Sequence, residues 1–442
     1  MKSIMSSYQF VSVSLLTGSG VFVAILTFVM LPIQTRVFTA QDFGYAAWCI
    51  AISSLVGSIS TLRYEIAVVV ASSIEDAVIL ARSSLFLCSA ISVVCFLALS
   101  LFTNSLPAVD DRSFFEIPEV LIALGVLCFG SFNITSQWNT RNQFYALQAR
   151  AQVGIALIAN AYPLAMFYLC NKADWIFLLQ AYVLSYLFSS IYSFSSSYAV
   201  SNWRVGKVGY GTVVSVLKRY EDFPKFSLPI TISASLRDRG VPILLASFAS
   251  FDVTGAFSVL MRLMGMPGSI MSQALRPVAF KTVTLSVLQG GKFVQGVHNL
   301  FLVLSLPCLI GVIVFKDFIV GLVLGVEWVE FSNLIIAIMP YALILCFCNW
   351  LDRVFDATNN IPWAASYEVV NVVATVGSLF IFLLAGFQPF FSISVYSIVF
   401  FGLSICYISR AYDILDLHRR GFIFLLSFAP LLIILPALLR VD

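Results

Sequence analysis

Charge is what this chain has least of. Asp, Glu, Lys and Arg make up 11% of its 442 residues, against about a quarter in a soluble domain. A water-soluble fold of this length cannot be covered with so few charges, so the chain reads as an all-α polytopic membrane protein. Histidine is nearly missing. His298 and His418 lie far apart, each near a basic helix end, and no metal site is expected from them. Cys346 and Cys348 are too closely spaced for a zinc or thioredoxin pattern. The nine cysteines lie almost all in apolar runs and read as small buried hydrophobes. Long polar connections on one side are also missing. The segments 102–117 and 316–332 are short, and Asp110 with Asp111 and Glu327 with Glu330 read as loop solvation. That argues against a membrane glycan polymerase or ligase, whose chemistry needs a larger extramembrane loop. No enzyme is expected.

What is present is hydrophobic: 60% of residues are apolar. A crossing helix needs roughly 20 apolar residues. Such runs fall near 11–35, 45–62, 78–101, 118–137, 153–170 and 176–198. A second set falls near 228–249, 254–274, 296–315, 333–352, 366–386 and 391–408. A further run, 422–439, is either a thirteenth span or a surface helix. The first run continues past Leu31, too long for a cleavable signal core. With the N-terminus in the cytoplasm, only Arg36, Arg112, Lys172, Lys316 and, if the last run spans, Arg440 fall on the far side. All other Lys and Arg outside the spans fall in the cytoplasm or at its edge, as the positive-inside rule requires. The basic connection 199–227 reads as a cytoplasmic linker between two six-helix lobes, 1–198 and 228–408, followed by a C-terminal segment, 409–442. Part of the linker reads as an amphipathic helix on the membrane surface.

The two lobes carry a repeat. "LPIQTRVFTAQDFGYAAW" from Leu31 and "VPILLASFASFDVTGAFS" from Val241 align at a shift of 210 residues. The shift pairs Pro32 with Pro242, Phe38 with Phe248, Asp42 with Asp252 and Ala46 with Ala256. An even number of spans separates the copies, so both lobes share one orientation. Two such parallel halves are a standard transporter plan, with cargo bound between them near the midplane.

Against this apolar background, "SLRDRGVP" sets Arg237, Asp238 and Arg239 inside the seventh span, and Arg262 lies inside the eighth. Counted from the span starts, Arg237 is about 15 Å deep and Arg262 about 12 Å deep. An arginine facing lipid costs about 2.5–3.5 kcal/mol, so these face protein or a water-filled cavity. Neighbouring helix positions differ by 100°, so Arg237 and Arg239 cannot both face one lumen. Gly240 and Pro242 predict a bend or break. Two readings stay open: an ion-pair cluster, or a cationic site for an anionic group such as phosphate, which the forked guanidinium suits. The first six spans have no Asp or Glu near mid-depth. Arg63 with Glu65, Asp238, Asp352 with Arg353, and Glu368 are candidates for a gate or for ion coupling.

Four stretches resemble the Wzx-type flippases of lipid-linked oligosaccharides, polysaccharide transporters of the multidrug/oligosaccharidyl-lipid/polysaccharide (MOP) exporter superfamily. They are "TRVFTAQDFGYAAW", "LRYEIAVVVA", "YEDFPKFSLP" and "DVTGAFSVLMRLMGMPGSIMSQALRPV". The resemblance implies a MATE-like V of two pseudo-symmetric six-helix lobes in the bacterial inner membrane. It implies an undecaprenyl-pyrophosphate-linked oligosaccharide as cargo, moved from the cytoplasmic to the periplasmic leaflet for O-antigen or other polysaccharide. Membrane lipids, a polysaccharide polymerase and a chain-length regulator are implied as partners, with no cofactor and no nucleic acid. Arg237, Arg239 and Arg262 match the expected pyrophosphate binders by depth and charge. A multidrug or cation antiporter of the same superfamily is the nearest alternative; such proteins generally need a membrane-embedded acid for coupling.

Overall fold

A computed structural model of the chain describes residues 2–101, 117–196, 209–358 and 360–417. Every expected span from 11–35 to 391–408 is a helix. In order these are α1 (Lys2–Gln34), α2 (Ala40–Ile59), the short α3 (Tyr64–Val70), α4 (Ile74–Leu101), α5 (Pro118–Arg141), α6 (Tyr145–Cys170) and α7 (Ile176–Ser196). Then come α8 (Tyr210–Arg219), α9 (Leu228–Phe248), α10 (Phe251–Leu285), α11 (Val287–Val314), the short α12 (Lys316–Val323), α13 (Asn333–Cys348), the short α14 (Asp352–Ala357), α15 (Ile361–Leu384) and α16 (Pro389–Ile414). Among the described residues, nine helices are long and apolar enough to cross a membrane. The run 422–439 and His418 lie outside the described residues.

Large apolar side chains stand exposed on the outer faces, among them Phe86, Leu101, Leu169 and Val303. Contiguous exposed apolar surface marks a lipid or partner interface; on helices of this length it is the face that meets lipid.

The chain folds into two compact units: Met1–Met30 with Tyr45–Ile243, and Leu31–Gly44 with Leu244–Asp442. The division thus falls inside α9 and not in the stretch 199–227.

Unit 1 is built around α5. Lipid tails are as apolar as leucine, so close packing and interhelical hydrogen bonds hold such helices together. Gly125 and Gly130 let neighbours approach: a Cβ at Gly125 would lie 2.9 Å from Ser53 Oγ, and one at Gly130 would lie 2.4 Å from Cys88 Sγ. Three serine hydroxyls then donate to α5 carbonyls: Ser53 to Ile122 at 3.1 Å, Ser92 to Ala123 at 2.6 Å and Ser190 to Cys128 at 3.2 Å. The first two bonds satisfy hydroxyls in an apolar interior; Ser190 also donates within its own helix, to the Tyr186 carbonyl at 2.7 Å.

The linker helix α8 is amphipathic, as expected, but its apolar face does not lie on a membrane. Val216 is buried, and Val213, Leu217 and Tyr220 pack on a core of Ala67, Val68, Ile134 and Trp138. Arg219 pairs with Asp76 at 2.8 Å, and Tyr220 Oη accepts from the Ser72 amide at 3.0 Å. Protein offers this short helix a dry apolar surface plus a partner for its last arginine, which a headgroup layer does not. The following turn carries Lys225 2.8 Å from Glu221; that hydrogen bond holds the Glu221 carboxyl below its ordinary range.

Unit 2 centres on α13, buried on nearly every side. His298 of α11 is fully buried within it. Its Nε2 faces the Phe347 carbonyl at 3.0 Å and therefore carries the proton; its Nδ1 accepts from Tyr412 Oη at 2.9 Å. The ring stacks on Tyr412. Eleven residues past Val287, it sits about 16 Å along the helix, not near a helix end as the sequence suggests. With both nitrogens bonded it is a structural histidine.

The repeat is visible at both helix starts. Thr39 and Asp42 cap α2 reciprocally: the Thr39 amide and hydroxyl donate to Asp42 Oδ2 at 2.9 and 2.8 Å, and the Asp42 amide donates to Thr39 Oγ1 at 3.2 Å. This is the capping-box logic. Ser250 caps α10, accepting from the Val253 amide at 3.2 Å. Ala46 and Ala256 are both buried.

Candidate functional site

The charged segment of α9 does not break its helix. α9 runs unbroken from Leu228 to Phe248 with Pro242 inside it. Proline removes one backbone bond and strains one turn, and a packed helix can absorb that without ending. Arg237 pairs with its neighbour Asp238, Nε to Oδ1 at 3.1 Å. Arg239 is exposed and leaves α9 on another side.

Which side is fixed by a contact four residues earlier. The Ser235 hydroxyl meets the Ser58 hydroxyl of α2 at 2.8 Å. Residues i and i+4 share a helix face, so Arg239 lies on the face that α9 turns toward α2. Tyr182 and Tyr186 of α7 lie within its electrostatic reach. Those two rings meet edge to face at 5.0 Å, and Tyr186 packs on Phe129 and Phe132. Sequence reasoning missed both tyrosines, because α7 scatters Gln180, six serines and three tyrosines among its apolar residues and nothing in that pattern sets these two apart.

Arg262 belongs to unit 2. It is exposed, eleven residues into α10, or about 17 Å along it. Arg237 lies nine residues past Leu228, about 14 Å along α9. Both guanidinium groups are thus carried well inside their helices.

The gate candidates divide between the units. In unit 1, Arg63 pairs with Glu65 at 2.9 Å, and Glu65 is 1% exposed. Thr61 donates its hydroxyl to the same carboxylate. Leu62 and Arg63 hold left-handed φ values of 49° and 65°, a conformation uncommon for residues with a Cβ. In unit 2, Asp352 takes Arg276 Nε at 3.2 Å and Arg353 pairs with Asp356 at 2.8 Å. Glu368 is half-buried on α15, within electrostatic reach of Tyr407.

Two basic residues counted only as helix-end charges have structural partners. Arg276 also donates to the Asn349 carbonyl at 3.0 Å. Arg141 donates through Nη1 to the carbonyls of Val68 and Ala71, both at 2.8 Å, and of Val69 at 3.2 Å. It thereby ties the end of α3 to the end of α5. Among the described residues, no group of three or more His, Cys, Asp or Glu side chains could hold a metal ion. Unit 2 also carries a partly open apolar pocket of about 190 Å³, with Met264, Met271, Phe301, Met339 and Phe347 in its walls. Its single hydroxyl, Ser305, already donates to the Leu302 carbonyl, so the cavity is no place for a sugar or a phosphate.

Solved structures share this fold. One is described as lipid II flippase MurJ in an inward closed conformation; at 12% identity and a TM-score of 0.66, the match covers 99% of this chain and 93% of that one. A multidrug resistance MATE family transporter of the MOP superfamily, inward-facing, matches at 14% identity and 0.53, covering 92% and 95%. The MATE transporter VcmN of Vibrio cholerae matches at 13% identity and 0.54, covering 96% and 100%. At these identities the likeness is one of fold. No curated protein matches the chain. Residues 33–333, well over half of the chain, match the family model described as polysaccharide biosynthesis protein, and the chain belongs to that family as a multi-pass membrane protein with the fold of the MOP transporters.

Proposed function

We propose that the protein flips an undecaprenyl-pyrophosphate-linked oligosaccharide from the cytoplasmic to the periplasmic leaflet of the bacterial inner membrane, with its N-terminus in the cytoplasm. The unit would serve O-antigen or a related polysaccharide, passing after release to a polymerase and a chain-length regulator. The observation that carries this reading is the set of arginines held deep in α9 and α10 of a chain from a polysaccharide biosynthesis family. A guanidinium in a low-dielectric span is costly and is retained where an anion needs it. A pyrophosphate offers paired oxygens that the arginine fork fits. Arg239 and Arg262, with Arg237 as alternate, hold that group while the sugar crosses and the prenyl tail stays in the bilayer. The ion pairs around Glu65 in unit 1 and Asp352 in unit 2 serve as gate elements.

The test is genetic and chemical. Deletion of the gene should abolish surface polysaccharide and accumulate the lipid-linked unit on the cytoplasmic leaflet. Arg239→Ala or Arg262→Ala should fail to restore it while remaining in the membrane at normal level. Intact polysaccharide together with new sensitivity to cationic drugs would instead establish the antiporter reading.

A further inference from the structure

Tyr182 carries a group that the fold alone does not use. Its hydroxyl is shut off from solvent and has no hydrogen-bond partner among the described residues. A buried donor without a partner is costly, and phenylalanine would fill the same space without that cost. Its position answers why a hydroxyl is there. A Cβ on Gly125 would lie 3.2 Å from Tyr182 Cε1 and 2.9 Å from Ser53 Oγ. The Tyr182 ring therefore lies level with Ser53 of α2. The Ser58–Ser235 contact sets α2 against α9. Four crossing helices separate the two in sequence, so they run antiparallel. Arg239 is four residues past Ser235, and Ser53 is five residues before Ser58. At 1.5 Å per residue both steps lead about 6–8 Å the same way. Arg239 thus reaches the level of Ser53, Gly125 and Tyr182.

We propose that Tyr182 and Arg239 form a head-group subsite in unit 1, in which the Tyr182 phenol donates a hydrogen bond to a phosphate oxygen that the Arg239 guanidinium neutralises. The subsite rests on the pyrophosphate reading above and adds to it a neutral donor. In this conformation the phenol is closed off, so its acceptor reaches it only when the surrounding side chains move. Tyr186, one turn along α7 and wedged between Phe129 and Phe132, holds the Tyr182 ring in place. The arginine answers charge and the phenol answers the direction of an oxygen lone pair. Together they select a phosphate ester over a prenyl alcohol.

The experiment uses the full chain in lipid nanodiscs, with farnesyl pyrophosphate as probe and farnesol as control. Tyr182→Phe should raise the Kd for farnesyl pyrophosphate roughly 10- to 100-fold, the factor for losing one hydrogen bond to a charged group. It should leave farnesol binding unchanged. Without probe its melting temperature should equal or exceed that of the wild type, because an unpaired hydroxyl has been removed. An unchanged Kd in Tyr182→Phe beside a weakened Arg239→Ala would overturn the phenol's role and leave the pyrophosphate reading standing. A probe-free melting temperature that falls in Tyr182→Phe would mark the tyrosine as structural and overturn the subsite. No probe binding by the wild type would overturn both.

Discussion

Gly255→Ala is the sharpest stability test this fold offers. Gly44 and Gly255 are each the fifth residue of their helix, α2 and α10, and each meets the first residue of the other. A Cβ on Gly255 would stand 1.8 Å from the Ala40 carbonyl oxygen and 2.7 Å from the Gly44 nitrogen; one on Gly44 would stand 1.9 Å from the Phe251 oxygen. Neither glycine has an unusual φ, so close approach alone demands them. All the obstructing atoms are backbone, and no rotamer can relieve the clash. The helix starts must part by more than 1 Å, through a region where Trp328 is buried and donates to the Thr35 carbonyl at 2.9 Å. Overpacking typically costs about 1–3 kcal/mol, and a backbone clash belongs at or above the upper end. Gly265 supplies the control: it lies on the same helix with nothing near it, so Gly265→Ala should gain up to about 1 kcal/mol of helix propensity. Thermal unfolding in detergent, followed by tryptophan fluorescence, should separate the two variants clearly. The double variant Gly44→Ala/Gly255→Ala should cost less than the sum, because one displacement relieves both clashes. If Gly255→Ala melts with the wild type, or the two costs simply add, the close crossing is refuted.

Two further outcomes follow from named contacts. Arg141→Gln should leave the carbonyls of Val68 and Ala71 without their charged donor, at a cost of about 2–3 kcal/mol. It should open residues 62–73 to limited proteolysis, and Arg141→Lys should restore only part of the protection, because an ammonium lacks the fork. Asp317, outside the spans, is held below its ordinary carboxyl value of 3.8 by hydrogen bonds from Lys316 and Ser332. A depressed carboxyl adds stability that is present above that value and lost as pH falls through the folded value. Asp317→Asn should therefore lower the melting temperature slightly at neutral pH, with the gap closing in acid as pH falls through the depressed folded value; a gap that persists there would show that the charge is irrelevant.

What the sequence made legible here is what a bilayer makes legible. Runs long enough to cross stood out because charge is scarce, and each expected span from 11–35 to 391–408 is a helix. Which side of a span faces protein was not legible. α11 and α13 read alike in hydropathy, yet one is largely exposed and the other almost wholly buried. Lipid and protein interior are equally apolar, so the usual contrast between faces vanishes. The linker helix misled for the same reason: an amphipathic pattern names an apolar surface but not its owner. The repeat was found at a shift of 210, yet the structure aligns the caps Thr39 and Ser250 and the glycines Gly44 and Gly255 at 211. Identical side chains set the sequence alignment, whereas helix starts and backbone contacts set the structural one.

The arginines show where local reasoning stops. The 100° step between helix positions already separates Arg237 from Arg239, but it cannot say which one turns inward. That choice depends on the register of α9 against α2, and the register is set by one serine pair, Ser58 with Ser235. Both serines look ordinary in a chain with many, and each is short enough to lie between two helices without prying them apart. Once that pair is known, the i to i+4 spacing puts Arg239 on the face toward α2 and leaves Arg237 to Asp238. An ion-pair cluster would bind both arginines to acids. Here Arg237 is paired with an acid, while Arg239 lies at the level of a phenol that lacks an acceptor among the described residues, an asymmetry that fits the proposed incoming anion better than a structural knot of charges.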